Sequence, residues 1–245
     1  MNIIRIKSTA STNLFLKERL KEHALAEGTV VWADAQTAGR GQSGTSWEAE
    51  PGKNITCSLL LYPSFLPPGR HFLLSETIAL GIKDLVDDFI EGASIKWPND
   101  IYYEDRKLAG ILIENELSGG TFSQSVAGIG LNVNQEVFSS CAPNPVSLKQ
   151  VTCRSFDREQ LMDSLLRKIS CRYGQLKAGE YERISQAYQA SLYRKDGFHC
   201  YEDLNGRFHA RLQGVGEDGT LHLATAQGED RRYAFKEVSF INPSS

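Results

Sequence analysis

The spacing of apolar and polar residues over the first 193 positions predicts a chain of short strands and amphipathic helices. Short apolar runs bounded by Gly, Pro or polar residues predict strands at residues 3–6, 29–35, 55–61, 94–97, 101–103, 107–113 and 121–127. Apolar residues three or four positions apart predict helices whose stripes cover residues 16–24, 74–89 and 161–169, the first ended by Gly28 and the second by Gly92, and a further helix at residues 180–193. These helical stripes carry no catalytic pattern, so we assign them to core packing.

From about Arg194 the pattern changes to short strands alone. They are predicted at residues 198–201, 208–215, 221–224, 233–235 and 238–241. Asp218-Gly219 supplies a strong hairpin turn between two of them. We therefore expect a main domain at 1–193 and a small SH3-like β barrel at 194–245. Because every recognisable small-ligand motif lies before Gln135, this tail is expected to be an accessory.

Two connections interrupt the pattern, and the first is a candidate functional loop. Residues 36–53 contain four glycines and almost no aliphatic side chains, so they cannot form core. Glycine lets backbone N–H groups approach a ligand, and the guanidinium of Arg40 suits a carboxylate or a phosphate. The alternative is a disordered surface loop; a Walker P-loop is excluded because its G-K-[ST] ending is absent. Residues 135–155 read as a proline- and serine-bearing connection.

The stretch 94–114 predicts a bent hairpin that carries functional groups. Pro98 and Asn99 separate its first two strands, and a polar turn at 104–106 precedes the third. In the third run Lys107 is the only cation, followed by small Ala109 and Gly110, so its ammonium is expected at the strand edge, available to an anion. The alternative is that Lys107 is an ordinary edge-protecting lysine.

Charge and cysteine content narrow the class of protein. The 245 residues carry a formal net charge of −3 with Lys and Arg dispersed, so no nucleic-acid footprint stands out. No run approaches the roughly 18 apolar residues of a membrane span, and we expect a cytoplasmic enzyme. The five cysteines contain no C-x-x-C pair, which predicts reduced thiols. The histidines form no metal-ligand motif.

Three segments resemble the motifs of the biotin protein ligases. Residues 96–114 resemble the K-W-P-N-D…K-L-x-G-I-L-x-E signature, residues 36–47 the G-R-G-x-x-G-x-x-W loop, and residues 128–134 the G-I-G-x-N-V-N strand end. Their order and spacing also match, and with Ser11-Thr12-Asn13 and the β-rich tail the resemblance covers essentially the whole chain. It implies an α/β (α+β) catalytic domain with a mixed sheet, similar to class II aminoacyl-tRNA synthetases, and the C-terminal SH3-like domain.

The resemblance also implies a reaction and its partners. Biotin and Mg²⁺-ATP would form biotinyl-5′-AMP and pyrophosphate, and the biotinyl group would then pass to a lysine of a biotin carboxyl carrier protein. Lys107 and Arg40 would be catalytic, with Lys107 holding the biotin carboxylate and the α-phosphate together. Residues implied to bind biotin are Ser11, Thr12, Asn13, Gln36, Arg40, Gly41, Gln42, Lys107 and Gly110. Residues implied to bind ATP or the adenylate are Arg40, Trp47, Asn99, Asp100, Lys107 and Asn132.

No fixed metal site on the protein is expected, because Mg²⁺ would accompany ATP. For Ser11 a helix-capping role stands beside the ligand role. The chain departs from the family pattern at Gln42 and Thr45, where many members have arginine, so we expect weaker retention of the adenylate. It also has Lys236-Glu237-Val238 where members often have Gly-Glu-Val.

Three alternatives remain open at this level. A lipoate ligase or octanoyltransferase shares the fold but typically lacks this combination of motifs. A DNA-binding corepressor is disfavoured by net acidity and by the start of the sequence at the catalytic domain, without a helix-turn-helix. A catalytically dead biotin-binding module is disfavoured by Lys107. Neither nucleic acid nor membrane is expected as a partner, and a homodimer is left open because edge strands that pair subunits look like those that do not.

Overall fold

The protein, described here by a computed structural model at residues 2–139 and 144–241, contains two β-sheets. The strands of the first are β1 (Ile3–Thr9), β2 (Val30–Gln36), β3 (Ile55–Leu61), β4 (Ala93–Lys96), β5 (Asp100–Tyr103), β6 (Arg106–Ser118) and β7 (Thr121–Leu131). The helices are α1 (Thr12–Glu22), α2 (Phe72–Val86), α3 (Leu148–Thr152), α4 (Arg158–Lys177) and α5 (Tyr181–Ala190), with 3₁₀ turns at Gln42–Gly44 and Pro68–Arg70. The strands of the second are β8 (His199–Asp203), β9 (Gly206–Val215), β10 (Leu221–Thr225), β11 (Asp230–Tyr233) and β12 (Ser239–Phe240).

The first sheet is mixed, which confirms the predicted architecture. Its strand order is β1-β2-β3-β7-β6-β5-β4, with β1 parallel to β2 and the other neighbours antiparallel. The β6–β7 hairpin has the longest ladder, from Ala109 opposite Leu131 to Ser118 opposite Thr121. Because β6 and β7 lie in the interior of the sheet, their face offers a rigid floor for a site.

The core lies between this sheet and the helices α2, α4 and α5. All seven residues of β3 are buried, and most of α2 is buried as well, as expected for an apolar helix enclosed on several sides. Gly81 of α2 lies against Ile169 of α4, where an added Cβ would come within 2.8 Å of the isoleucine side chain. Glycine therefore sets the close approach of these two helices.

The second sheet is antiparallel, in the order β11-β10-β9-β8-β12, and confirms the predicted SH3-like C-terminal domain. It is fixed to the part of the chain around the first sheet by defined contacts. Trp97 Nε1 donates a hydrogen bond to the Gly219 carbonyl (2.9 Å), and the Gly219 backbone lies against the Phe72 ring. Gln189 of α5 donates to the Val215 carbonyl (2.7 Å) and accepts from its N–H (3.0 Å).

Several element boundaries differ from the predictions. Helix α1 ends at Glu22, well before Gly28, and β7 continues to Leu131 because its last residues pair with β3 and β6. The strand predicted at 233–235 is wrong in its bounds: β11 ends at Tyr233, and residues 234–237 form a turn. The 36–53 connection has local structure of its own: a 3₁₀ turn and a bridge between Arg40 and Ser46.

The connection predicted at 135–155 contains α3, which the apolar spacing missed. Its N-terminus has a capping box, in which Ser147 accepts from the Gln150 N–H and the Gln150 side chain accepts from the Ser147 N–H. Residues 140–143 of that connection, including Cys141, lie outside the described residues. The four described cysteines are free thiols, as predicted. Among the helices of residues 2–139 and 144–241, none is long and apolar enough to cross a membrane.

Candidate active site

A cavity of about 780 Å³ lies over β3, β6 and β7 and is walled by both sheets. All thirteen residues singled out from the sequence line it: Ser11, Thr12, Asn13, Gln36, Arg40, Gly41, Gln42, Trp47, Asn99, Asp100, Lys107, Gly110 and Asn132. The cavity also has lining residues that the sequence reasoning did not select: Thr56, Cys57, Lys96, Trp97, Phe235, Lys236, Val238, Ser239 and Phe240. The assignment of each residue to a particular ligand stays a prediction.

The floor of the cavity is made of glycines on neighbouring strands. Gly110 of β6 lies opposite Gly130 of β7, and Gly128 lies two residues before Gly130 in the same strand. A Cβ added at Gly128 would clash with Asn13, whereas one added at Gly130 would clash with the Trp47 indole. Glycine inside a strand is typical where another group approaches the backbone closely. The floor is therefore bare of side chains, with Asn13 above one part and Trp47 above the next.

Lys107 is presented to this cavity by a β-bulge. Tyr102 pairs with Lys107 and Ile101 with Ala109, so Leu108 is an extra residue in β6. Bulges re-aim side chains and are common beside functional sites. The Lys107 backbone also pairs with residues 144–146, and β6 has a neighbour on each side. Lys107 is therefore not on an exposed edge strand, which removes the edge-protection interpretation.

The Lys107 ammonium is paired with a carboxylate inside the cavity. Its Nζ lies 2.8 Å from Asp100 Oδ1, and both side chains are about one fifth exposed, at 21% and 20%. Asn99, the neighbour of Asp100, donates from its side chain to the Ile111 carbonyl and accepts from the Ile111 N–H through its own carbonyl (3.1 Å). These bonds hold the turn that carries Asp100 against β6, so Lys107 and Asp100 form a preorganised charge pair.

A cluster of small polar side chains closes one end of the cavity. Ser58 Oγ lies 2.7 Å from Thr12 Oγ1 and 2.6 Å from Asn13 Oδ1, and Gln36 Oε1 accepts from the Thr12 N–H (2.8 Å). Ser11 occupies the N-cap position of α1, yet its side chain makes no capping hydrogen bond. Capping is therefore not its role in this structure. Ser58 was missed by the sequence reasoning; its signal was a polar residue within an apolar strand.

Trp47 brings the glycine-rich loop down onto the floor. Its indole contacts Gly110 and Gly130, and the Lys107 ammonium lies 5.6 Å from the ring centre. This one large ring, in a loop with almost no aliphatic side chains, is seated in the cavity. Trp47 Nε1 and Gln42 Oε1 are both buried without a hydrogen-bond partner among the described residues.

Asn132, at the other end of the cavity, also has a buried polar atom without a hydrogen-bond partner among the described residues. Its Nδ2 donates to the Val146 carbonyl (3.1 Å), whereas its Oδ1 is buried without a partner in the described chain. A buried polar atom without a partner costs free energy and calls for an explanation. Three such atoms line one cavity, on Gln42, Trp47 and Asn132. Their shared position points to a polar ligand that satisfies them.

The cavity is rich in cations. Arg40, Lys96, Lys107 and Lys236 line it together with the carboxylates of Glu48 and Asp100. Burial lowers the pKa of Lys96 to about 8, partly offset by Asp100, and its Nζ donates to the Tyr102 hydroxyl (3.0 Å). No group of three or more His, Cys, Asp or Glu that could hold a metal occurs among residues 2–139 and 144–241. The chemistry of the cavity therefore favours an anionic, hydrogen-bonding ligand.

The chain matches a known protein family over the segment that forms most of this site. The model of the Biotin/lipoate A/B protein ligase family matches residues 4–132, more than half of the chain and the part that holds the Lys107 bulge and the glycine floor. The chain therefore belongs to the Biotin/lipoate A/B protein ligase family. Its members are ligases, which fits a cavity built to bind an acid.

The chain is also similar to individual biotin ligases. The biotin--[acetyl-CoA-carboxylase] ligase of Paracoccus denitrificans is 30% identical over 230 residues, covering 90% of this chain and 93% of that protein. The bifunctional ligase/repressor BirA of Bacillus spizizenii is 29% identical over 237 residues, covering 94% of this chain and 70% of that protein. The solved structure of the biotin protein ligase from Aquifex aeolicus in complex with biotin and ATP has a TM-score of 0.79, at 28% identity over 97% of each chain. The resemblance to biotin protein ligases is thus confirmed.

Proposed function

We propose that this protein attaches biotin to a lysine of a biotin carboxyl carrier protein, through biotinyl-5′-AMP and with release of pyrophosphate and AMP. The observation that carries the proposal is the Lys107–Asp100 pair beside the bare glycine floor, between the Asn13 cluster and Asn132. A ligand lying on that floor would have a hydrogen-bonding group at each end and a cation beside its middle. Biotinyl-5′-AMP has that pattern: a ureido ring, a mixed anhydride and an adenine.

The polar cluster would bind the ureido ring of biotin. That ring offers two N–H donors and one carbonyl acceptor, and Ser11, Thr12 and Asn13 offer hydroxyl and amide groups of matching character. Ser58 does not line the cavity but holds Thr12 and Asn13 in place through its hydroxyl. Residues 11–13 and 58 are buried, so their geometry is fixed before the ligand arrives. The valeryl chain would then run past the Asn13 and Trp47 side chains that lie on Gly128 and Gly130, and the carboxylate would approach Lys107.

Adenylation needs two anions to meet. The biotin carboxylate oxygen attacks the α-phosphorus of ATP, a bond forms between them, and the bond to pyrophosphate breaks. Lys107 would hold both anions and stabilise the charge that develops on the phosphate. Mg²⁺ would arrive with ATP and would neutralise phosphate charge. Asp100 is the carboxylate that would assist this ion, because it lines the cavity beside Lys107.

The nucleotide would occupy the end of the cavity near Asn132. Asn132 Oδ1 is an acceptor without a partner in the described chain and suits the amino group of adenine. Trp47 would cover the adenylate, and Arg40, which is exposed at the rim, would contact its anionic groups. In the second step the amine of the carrier lysine attacks the acyl carbon and AMP leaves as the mixed anhydride breaks.

Incubation with biotin, Mg²⁺-ATP and a biotin carboxyl carrier domain tests the proposal. Intact mass of the carrier should increase by one biotinyl group only when all components are present. A carrier whose acceptor lysine is replaced by arginine should remain unmodified. Parallel reactions with lipoate and Mg²⁺-ATP, and with an octanoyl thioester as donor, distinguish a lipoate ligase or octanoyltransferase. Transfer of those acids in preference to biotin would overturn the proposal.

A further inference from the structure

The turn at residues 234–237 contains a backbone conformation that its sequence disfavours. The Glu237 N–H donates to the Ala234 carbonyl (3.2 Å), and the Glu237 carboxylate accepts from the Ala234 N–H (2.7 Å). Lys236, the third residue of this turn, has φ +73°. That position in a turn with positive φ favours glycine or asparagine, because other side chains crowd the backbone. A strained residue held in place by its surroundings is a reason to look for function.

Lys236 differs from the other strained residues in its location. In the described chain the non-glycine residues with positive φ are Glu104, Asn144, Cys153, Arg194 and Lys236. Of these, only Lys236 lines the cavity over the glycine floor. Phe235 in the same turn packs edge-on against Trp97, with ring centres 6.1 Å apart, and Val238 is buried just after it. The turn is therefore fixed beside the segment that carries Asp100.

The glycine-rich loop supplies little positive charge to the same cavity. Of the loop residues that line it, Arg40 is the cation, whereas Gln42 and Thr45 are neutral. A nucleotide triphosphate carries several negative charges, and charge-assisted contacts to phosphate are the strong ones. Lys236, which follows β11 of the C-terminal sheet, adds a positive charge to the lining of the same cavity. Lysine at this position is strained, because glycine adopts its positive φ more easily.

We propose that Lys236 is a phosphate-binding residue that the C-terminal domain contributes to the ATP site, in partial compensation for the neutral loop positions. This inference rests on the proposed biotin ligase function. It assigns the accessory domain a direct part in nucleotide binding. It also explains why a lysine stands where the backbone favours glycine.

Two substitutions at this position separate charge from backbone strain. Lys236→Gly removes the charge and relieves the strain, and Lys236→Arg keeps both. Glu104→Gly is the matched control, because it relieves a positive φ in an exposed turn that does not line the cavity. Each purified full-length variant is assayed for biotin-dependent pyrophosphate release against ATP concentration, at low and high salt, with thermal unfolding measured alongside.

Lys236→Gly should unfold at the same temperature as the wild type or higher, yet raise the KM for ATP about fivefold at low salt and less at high salt. The KM for biotin should be unchanged. Lys236→Arg and Glu104→Gly should keep the wild-type KM for ATP. An unchanged KM for ATP in Lys236→Gly, or an equal rise in Lys236→Arg, would overturn the inference.

A direct measurement of ATP binding makes this test independent of whether the protein forms biotinyl-5′-AMP. Titration calorimetry with Mg²⁺-ATP on the wild type and on Lys236→Gly should give the same ratio of affinities as the KM values. If the wild type released no pyrophosphate with biotin, the proposed function would fail. A fivefold loss of ATP affinity in Lys236→Gly would then still support the phosphate contact, and equal affinities would refute it.

Discussion

Replacement of Lys107 by alanine should separate catalysis from folding. If the ammonium stabilises the charge that grows on the α-phosphate, its loss removes one preorganised donor. Such losses lower rates on the order of a hundredfold, which corresponds to about 2.7 kcal/mol of transition-state stabilisation. Lys107→Ala should therefore make adenylate at about one hundredth of the wild-type rate while keeping its fold.

The same change has a calculable cost in stability. Lys107 and Asp100 are 2.8 Å apart and about 20% exposed, so the pair lies between a surface ion pair, typically below 1 kcal/mol, and a buried one, at roughly 3–5 kcal/mol when one partner is removed. Lys96 remains nearby as a counter-charge to Asp100. We expect the free energy of unfolding to fall by about 1–2 kcal/mol, which leaves a folded protein.

Single-turnover pyrophosphate release measures the rate, and urea unfolding measures the stability. Lys168→Ala is the matched control, because Lys168 pairs with Asp88 at 3.0 Å on the distant α4 surface. The double variant Lys107→Ala/Asp100→Asn should recover part of the stability but none of the rate. A folded Lys107→Ala that releases pyrophosphate at the wild-type rate would refute the catalytic role. Recovery of the rate in the double variant would reduce Lys107 to a counter-ion for Asp100.

Three further predictions concern pH, the nucleotide end and the loop. Burial raises the pKa of Glu76 from 4.5 to about 7, against the opposing hydrogen bond from Ser185, so the folded state binds more protons between these values. The free energy of unfolding should then fall by roughly 3 kcal/mol as pH rises from 4.5 to 7, and urea titrations of Glu76→Gln should lack this fall. Asn132→Ala should weaken ATP binding about tenfold, measured by calorimetry, with biotin binding retained; equal losses for both ligands would point to a folding defect. Residues 37–53 should gain protection from hydrogen exchange when biotin binds, and ATP affinity should rise in parallel; equal protection in both states would refute the coupling.

The sequence was informative about the site because its chemistry lies in short, ordered segments. Residues 36–47, 96–114 and 128–134 each bring their polar side chains near a strand end or a glycine, and the sheet order then places these segments side by side. Ser58 escaped notice because a serine within the apolar run of β3 resembles any small buried residue. The helix α3 escaped because five residues are too few to show a period; only its capping box could have revealed it.

The contribution of the C-terminal domain to the site could not be predicted from the sequence pattern of its strands. Alternating apolar residues predict that a small sheet forms, but they do not say which edge docks on another domain. The docking depends on contacts between residues far apart in sequence, such as Trp97 with Gly219 and Gln189 with Val215. Helix α5 contacts both the C-terminal sheet and the segment before Asp100. Its Gln189 bonds to Val215, and its Tyr188 donates to the Pro98 carbonyl (3.3 Å). The contacts that seat the C-terminal sheet therefore also hold the segment leading to Asp100, so a change that loosens the docking should disturb the turn of Lys236 and the Lys107–Asp100 pair together.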